Sequence, residues 1–228
     1  MYILHIETST TVCSVALSQD DEAIGWKDKG EAMNHTAILA PMIAEILEQN
    51  NLTVHDLGAI SISSGPGSYT GLRVGSSTAK SMAYSLGIPL ISVPTLEALS
   101  AAALEVHDSI SHVVPMIDAR RDEVYAAIYD QDLQIRWPDH AVLVTGSFME
   151  EYLTQLRKVV CCGDGAFKVK PMLPGFPNII VDEEIICSAR HLVKPSWIRI
   201  CNKETEDPLH FIPRYLKPPN ITQPRKTA

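Results

Sequence analysis

Twice along this chain, three short β-prone runs follow one another before helix and strand begin to alternate, and that duplication limits the fold more than any single motif. The first cycle opens with Tyr2–Glu7, Val12–Ser18 and Ala23–Lys29, separated by the polar turns Thr8-Ser9-Thr10-Thr11 and Gln19-Asp20-Asp21-Glu22. An amphipathic helix over Thr36–Asn50, a buried-type strand over Gly58–Ser63, a helix over Thr70–Leu86, a strand over Pro89–Val93 and an alanine-rich helix over Thr95–Glu105 complete it. After the polar break His107-Asp108-Ser109 the strands restart at Val113–Ile117, Val124–Tyr129 and Gln134–Trp137, followed by a helix over Gly146–Arg157 and a strand over Val159–Cys162. The expectation is an α/β chain of two similar lobes, residues 1–106 and a smaller 107–216, with a proline-rich flexible tail at 217–228.

Composition narrows what two such lobes do. A chain of 228 residues with 46% hydrophobic and 20% charged residues is ordinary for a globular protein, and at this length needs no metal or disulfide staple. The formal net charge of −8 opposes a surface built to neutralise phosphates, so contact with RNA is expected only through another subunit. Cys13, Cys161, Cys162, Cys187 and Cys201 form no Cys-x-x-Cys pair, and free, mostly buried thiols in a reducing compartment are expected. The opening Met1-Tyr2-Ile3-Leu4-His5-Ile6-Glu7 has no basic stretch and meets an acid early, unlike a secretion signal. No apolar run approaches bilayer length. A cytoplasmic chain with no membrane partner is expected.

The strand Gly58–Ser63 runs directly into Ser64-Gly65-Pro66-Gly67-Ser68-Tyr69-Thr70-Gly71. A strand, a glycine-rich turn and a helix place backbone N–H groups where an anion binds. The spacing matches neither the P-loop nor the dinucleotide fingerprint, so a tight strand-to-helix turn stands as an equal reading. The turn Thr8-Ser9-Thr10-Thr11 is read in the same two ways, as a phosphate cradle or as a polar hairpin tip. Thr8, Ser9, Gly65, Pro66 and Gly67 are the candidate nucleotide-loop residues. In the next helix Gly71, Gly75, Ala79 and Ala83 recur every four residues as a ridge of almost no bulk. Glycine inside a helix costs roughly 1 kcal/mol relative to alanine, so the ridge marks a close approach to the sheet below or to another helix. On the preceding helix Ile38, Leu39, Met42, Ile43, Ile46 and Leu47 form a broad apolar stripe, with Pro41 expected to kink the helix or mark its effective start.

Catalytic constellations are scarce. The eight histidines are scattered, and His107 and His112 are separated by a polar break rather than by the spacing of a metal site on one helix face. Cys161-Cys162 ends an apolar strand, where structural thiols are the rule, and no basic partner is placed beside it. The run Asp118-Ala119-Arg120-Arg121-Asp122-Glu123 reads as a solvated loop between strands, with an acidic or phosphate ligand as the alternative. His35 reads as a capping or surface residue, or as a contact to a partner.

The run Ser63-Ser64-Gly65-Pro66-Gly67-Ser68-Tyr69-Thr70-Gly71-Leu72-Arg73-Val74-Gly75, continued by Ala79-Lys80 and Pro94-Thr95-Leu96-Glu97-Ala98-Leu99, resembles the TsaB (YeaZ) family, bacterial partners of the enzyme TsaD in making threonylcarbamoyladenosine in tRNA. The opening Ile3-Leu4-His5-Ile6-Glu7-Thr8-Ser9-Thr10, the helix start His35-Thr36-Ala37-Ile38-Leu39-Ala40-Pro41, the segment Ile117–Tyr125 and Pro213-Arg214-Tyr215-Leu216 are similar to the same family, in order and over most of the chain. The resemblance implies a two-lobed actin-like ATPase fold, each lobe a mixed sheet with flanking helices. TsaD carries a His-x-x-x-His pair where this chain has Thr95 and Leu99. Two imidazoles at i and i+4 share a helix face and bind a metal there, so the resemblance implies a non-catalytic subunit without a metal. Glu7 stands where the family usually has aspartate.

The resemblance further implies a division of labour. TsaD transfers the threonylcarbamoyl group to the adenosine beside the anticodon, a threonylcarbamoyl-adenylate synthase supplies the donor, and the ATPase TsaE acts on the assembly. A chain like this one docks on TsaD, stabilises its competent form, and pairs with itself when TsaD is absent; tRNA is reached only through the complex. No cofactor is expected, with ATP or ADP binding only weakly or at the complex interface. Because the family pairs through two helices of its first lobe, His35, Leu39, Met42, Ile43 and Ile46 on one helix and Leu72, Gly75, Ser76, Ala79 and Ala83 on the other are the expected interface. A bulky residue at Gly75 is then expected to abolish docking while leaving the monomer folded. A metallopeptidase-like activity and an independent ATP-dependent enzyme on the same fold are the alternatives.

Overall fold

A computed structural model describes residues 1–30 and 34–218; the expected tail lies outside the described residues from 219 onward. The first sheet contains β1 (Tyr2–Glu7), β2 (Cys13–Gln19), β3 (Glu22–Lys29), β4 (Leu57–Ser63) and β5 (Leu90–Val93) in the order β3-β2-β1-β4-β5. Its three leading strands are antiparallel, because short polar turns return the chain directly. The helices α1 (His35–Gln49) and α2 (Tyr69–Leu86) supply the crossover length that the parallel pairs β1–β4 and β4–β5 require. A second sheet repeats this plan with β6 (His112–Asp118), β7 (Glu123–Asp130), β8 (Ile135–Leu143), β9 (Val159–Cys162) and β10 (Ile179–Asp182), ordered β10-β9-β6-β7-β8.

One face of the first sheet is sealed by α1 and α2, whose Leu39, Met42, Ile46 and Ala79 join Leu4, Ile6, Val15 and Ile60 in a single apolar cluster. The helix α3 (Thr95–Val106) leaves that sheet and packs Leu99 and Ala103 on Val113, Ile117 and Val160 of the second. The other face of the second sheet is covered by Phe148 and Met149 of α4 (Gly146–Tyr152) and by Ala166 and Val169.

The stretch 107–216, expected as one lobe, is divided between the two sheets. The helix α5 (Val193–Cys201) lays Trp197 and Ile200 on Ile3, Ala59 and Ile91 of the first sheet, and Ser196 Oγ meets Ser61 Oγ at 2.6 Å. Both faces of the second sheet are already covered, so the first sheet is where this apolar surface is buried.

Three boundaries differ from expectation. α1 begins at His35, well before Pro41, so that proline does not mark its start; Pro41 is exposed, where its missing N–H disturbs only a solvated carbonyl. β8 continues through Pro138 because it is an edge strand bonded only to β7, and its register shifts nearby. The helix expected to reach Arg157 ends at Tyr152. Among the described residues no helix is long and apolar enough to cross a membrane.

Candidate functional site: the glycine loop and the α1–α2 face

The loop between β4 and α2 is clasped from two sides. Gly65 donates its N–H to Thr95 Oγ1 at 3.1 Å, and the Thr95 N–H donates to the Gly65 carbonyl at 3.0 Å. Arg214 donates its N–H to the Ser64 carbonyl at 2.7 Å, and its own carbonyl lies 2.5 Å from where a Gly65 Cβ would stand. Gly65 also has φ +101, so glycine is required here by conformation and by space. The Arg214 guanidinium then pairs with Asp139 of β8 at 2.7 Å, which ties this loop to the second sheet.

Thr95 and Leu99 are fully interior, at 0% and 1% exposure. With the Thr95 hydroxyl bonded to the loop and Leu99 in the apolar layer between α3 and the second sheet, the two positions do not fit a metal. Among the described residues no three His, Cys, Asp or Glu side chains converge as metal ligands. Burial pushes the Cys161 thiol up to about 12 and the Cys162 thiol well up, which leaves neither as a thiolate at neutral pH.

The first turn and the glycine loop, both candidates for phosphate, are packed on each other. Thr8 Oγ1 donates to the Gly71 carbonyl at 2.8 Å, and the Ser68 N–H donates to the Ser9 carbonyl at 2.6 Å. A Cβ at Gly67 would overlap the Ser9 carbonyl, one at Gly71 the Thr8 carbonyl, and one at Gly75 the Thr8 hydroxyl. The small-residue ridge thus faces the first turn, and continues into the core at Ala79 and Ala83. Ser68, Ser9 and Gly65 direct their backbone N–H groups to protein acceptors, so these three donors are already taken within the chain.

The same packing corrects the expected interface. Leu39, Met42, Ile43 and Ile46 on α1, and Leu72, Gly75, Ser76, Ala79 and Ala83 on α2, are buried within the chain. His35 is half-buried, with Nε2 3.3 Å from the Val12 carbonyl. Gly75 is consequently a folding position, and the expectation that a bulky residue there spares the monomer is withdrawn.

The outward side of the two helices has a different composition. α1 exposes Ala37, Ala40, Pro41 and Ala44, and α2 exposes Arg73, Ser77, Ser81 and Tyr84. Between the helices runs a groove of about 440 Å³ lined by Leu39, Ala40, Tyr69, Arg73, Val74 and Ser77. Tyr69 is fixed in its wall by Tyr215 at a ring distance of 4.9 Å and by Arg73, whose Nη1 donates to its hydroxyl at 3.2 Å. This face escaped sequence reasoning because periodicity marks bulky apolar residues; its only signal was the lack of bulk at Ala37, Ala40 and Ala44.

The charged run Asp118–Glu123 is the β6–β7 hairpin. Arg120 and Arg121 occupy left-handed backbone at φ 70 and 52. Asp118 accepts the Arg120 N–H at 2.7 Å and Lys168 Nζ at 2.5 Å, while Glu123 pairs with Lys217.

Residues 18–155 match the family model described as TsaD: tRNA N6-adenosine threonylcarbamoyltransferase. The tRNA threonylcarbamoyladenosine biosynthesis protein TsaB of Bacillus subtilis is 31% identical over 223 residues, covering 95% of this chain and 94% of that protein. The protein of the same name from Escherichia coli is 35% identical over 137 residues, 60% of this chain and 58% of that one. Among solved structures, YeaZ from Pseudomonas aeruginosa superposes with a TM-score of 0.80 at 24% identity, over 94% of this chain and 99% of that one. An activator of the 2-hydroxyisocaproyl-CoA dehydratase from Clostridium difficile shares the fold more distantly, with a TM-score of 0.54 at 9% identity over 90% of this chain and 98% of that one. The fold is the two-lobed actin-like one, and with identity sustained over nearly the whole of both it and the Bacillus subtilis protein, the chain belongs to the TsaB family.

Proposed function

We propose that this chain is a non-catalytic partner subunit for tRNA N6-threonylcarbamoyladenosine modification at the adenosine beside the anticodon, docking on a TsaD-type transferase in a complex with TsaE. The observation that carries this reading is the outward face of α1 and α2. Its side chains are short at Ala37, Ala40, Ala44, Ser77 and Ser81, which lets a partner helix approach closely there, and its groove is rimmed by Tyr69 and Arg73, residue types enriched where proteins bind. A partner that binds one conformation of the transferase better than another shifts it toward that conformation without chemistry of its own. The net charge of −8 accords with tRNA being held by the transferase. The same face serves self-pairing when the transferase is absent.

Reconstitution tests this. Nucleoside mass spectrometry of tRNA incubated with the transferase, the adenylate synthase and TsaE is expected to show the modified base only when this chain is added. Ala40→Arg and Ser77→Arg are expected to cut both modification and co-purification at least tenfold, with the thermal midpoint unchanged. Full modification without this chain, or with both arginines in place, would overturn the reading.

A further inference from the structure

The end of β1 buries a carboxyl group that no cation answers. Glu7 is 1% exposed, and among the described residues it joins no ion pair. Its Oε1 instead accepts the Ser9 N–H at 2.6 Å. The Thr8 backbone and the hydroxyls of Ser9 and Ser63 lie near the same carboxyl. Both hydroxyls are fully buried and, among the described residues, make no hydrogen bond. From the returning chain, the buried Cys187 lies near Ser9.

A buried carboxyl is costly unless hydrogen-bond donors converge on it. Convergent N–H groups at a tight turn, backed by hydroxyls, are also what binds a phosphate oxygen. We propose that the Glu7 carboxyl is the built-in occupant of the anion cradle formed by the first turn, and that it closes this chain to nucleotide. Glu7 takes the Ser9 N–H from below. The glycine loop holds the turn from above, with the Ser68 N–H on the Ser9 carbonyl and the Thr8 hydroxyl on the Gly71 carbonyl. A phosphate would have to displace both at once, against the clasp of Thr95 and Arg214 on the loop. This inference is independent of docking through α1 and α2.

Removing the occupant tests it. Glu7→Ala is expected to lower the thermal midpoint, and formate, a carboxyl group without a side chain, is expected to restore at least half of the loss relative to chloride at equal ionic strength. The unaltered chain should not respond to formate. Isothermal titration of the unaltered chain with ATP and with inorganic phosphate is expected to show no saturable binding. A folded Glu7→Ala that formate does not rescue overturns the proposal. So does saturable binding of ATP or phosphate by the unaltered chain that Ser9→Ala weakens, a readout that stands even where Glu7→Ala does not fold.

Discussion

Thr95 exchanges two hydrogen bonds with Gly65, and both groups are inside the protein. Thr95→Val keeps the shape of the side chain but strands the Gly65 N–H without its acceptor. An orphaned buried donor costs about 1–3 kcal/mol, and urea unfolding is expected to show a loss of that size. Installing the pair found in the catalytic relatives, Thr95→His with Leu99→His, is expected to destabilise the chain further and to confer no zinc binding by equilibrium dialysis, because an imidazole at Leu99 enters an apolar layer formed with Ile117 and Val160. Gly75 makes the complementary point. Its missing Cβ is the space taken by the Thr8 hydroxyl, itself bonded to Gly71, so Gly75→Ala is expected to cost about 1–3 kcal/mol by overpacking. Undiminished stability of that variant would show that the first turn gives way. The glycines at 71 and 75 were legible in the sequence as a close approach, but whether to the sheet side or to another helix depended on Thr8, which is remote in the chain and carries no local mark of the contact.

Helices and strands of the first hundred residues were readable almost to the residue, because each carries its own period and its own stops: Ser68 caps α2 on Gly71, and Gly87 ends it in left-handed backbone. Which face of a helix docks was not readable from the same signal. The apolar stripe of α1 reports the side that needs burial, and the sheet of the same chain reaches it first. The segment after α5 was opaque for a different reason: it has no period, and its path is set by individual contacts. Glu206 donates its N–H to the Leu90 carbonyl at 2.8 Å, Lys80 Nζ donates to the Phe211 carbonyl at 2.7 Å, Phe211 enters the core of the first sheet, and Arg214 reaches the glycine loop. This strap is therefore a folded element without secondary structure. Phe211→Ala is expected to cost about 3–5 kcal/mol, the range for removing a buried phenyl ring. It is also expected to raise amide exchange at Gly65 and Ser68, in the loop whose Ser64 carbonyl accepts the Arg214 N–H. Exchange confined to the strap itself would show that it does not support the loop.

Across the whole molecule the two faces of the first sheet do different work. The face under α1 and α2 is apolar, while the opposite face presents His5, Glu7, Ser14, Ser18, Ser61 and Ser63, all nearly or fully buried. It is covered by the returning chain through specific bonds, Ser61 to Ser196 at 2.6 Å, the Ala189 N–H to Ser14 at 2.7 Å and Ser188 to Asp28 at 2.8 Å. A polar alternation of this kind gives no local sign that it is covered, which is why the division of residues 107–216 between two sheets could not be read ahead of the structure. Its cost is acid lability. Burial lowers His5 to about 3, and burial with the adjacent Arg190 lowers His191 to about 4, both from 6.5. Below pH 6.5 the unfolded chain gains protons that the folded chain refuses, so stability is complete above 6.5 and falls as the pH drops toward those values, by about 1.4 kcal/mol per pH unit for a fully buried histidine such as His5. Glu7 acts in the opposite sense. Burial raises its folded value above 4.5, so its contribution is present at acid pH and lost as the pH rises through that raised value. Urea unfolding from pH 7.5 to 4.5 is therefore expected to show stability declining with acid, more shallowly in His5→Gln and more steeply in Glu7→Gln, which removes the opposing carboxyl. A slope that His5→Gln leaves unchanged would place the acid-sensitive group elsewhere than on the covered polar face.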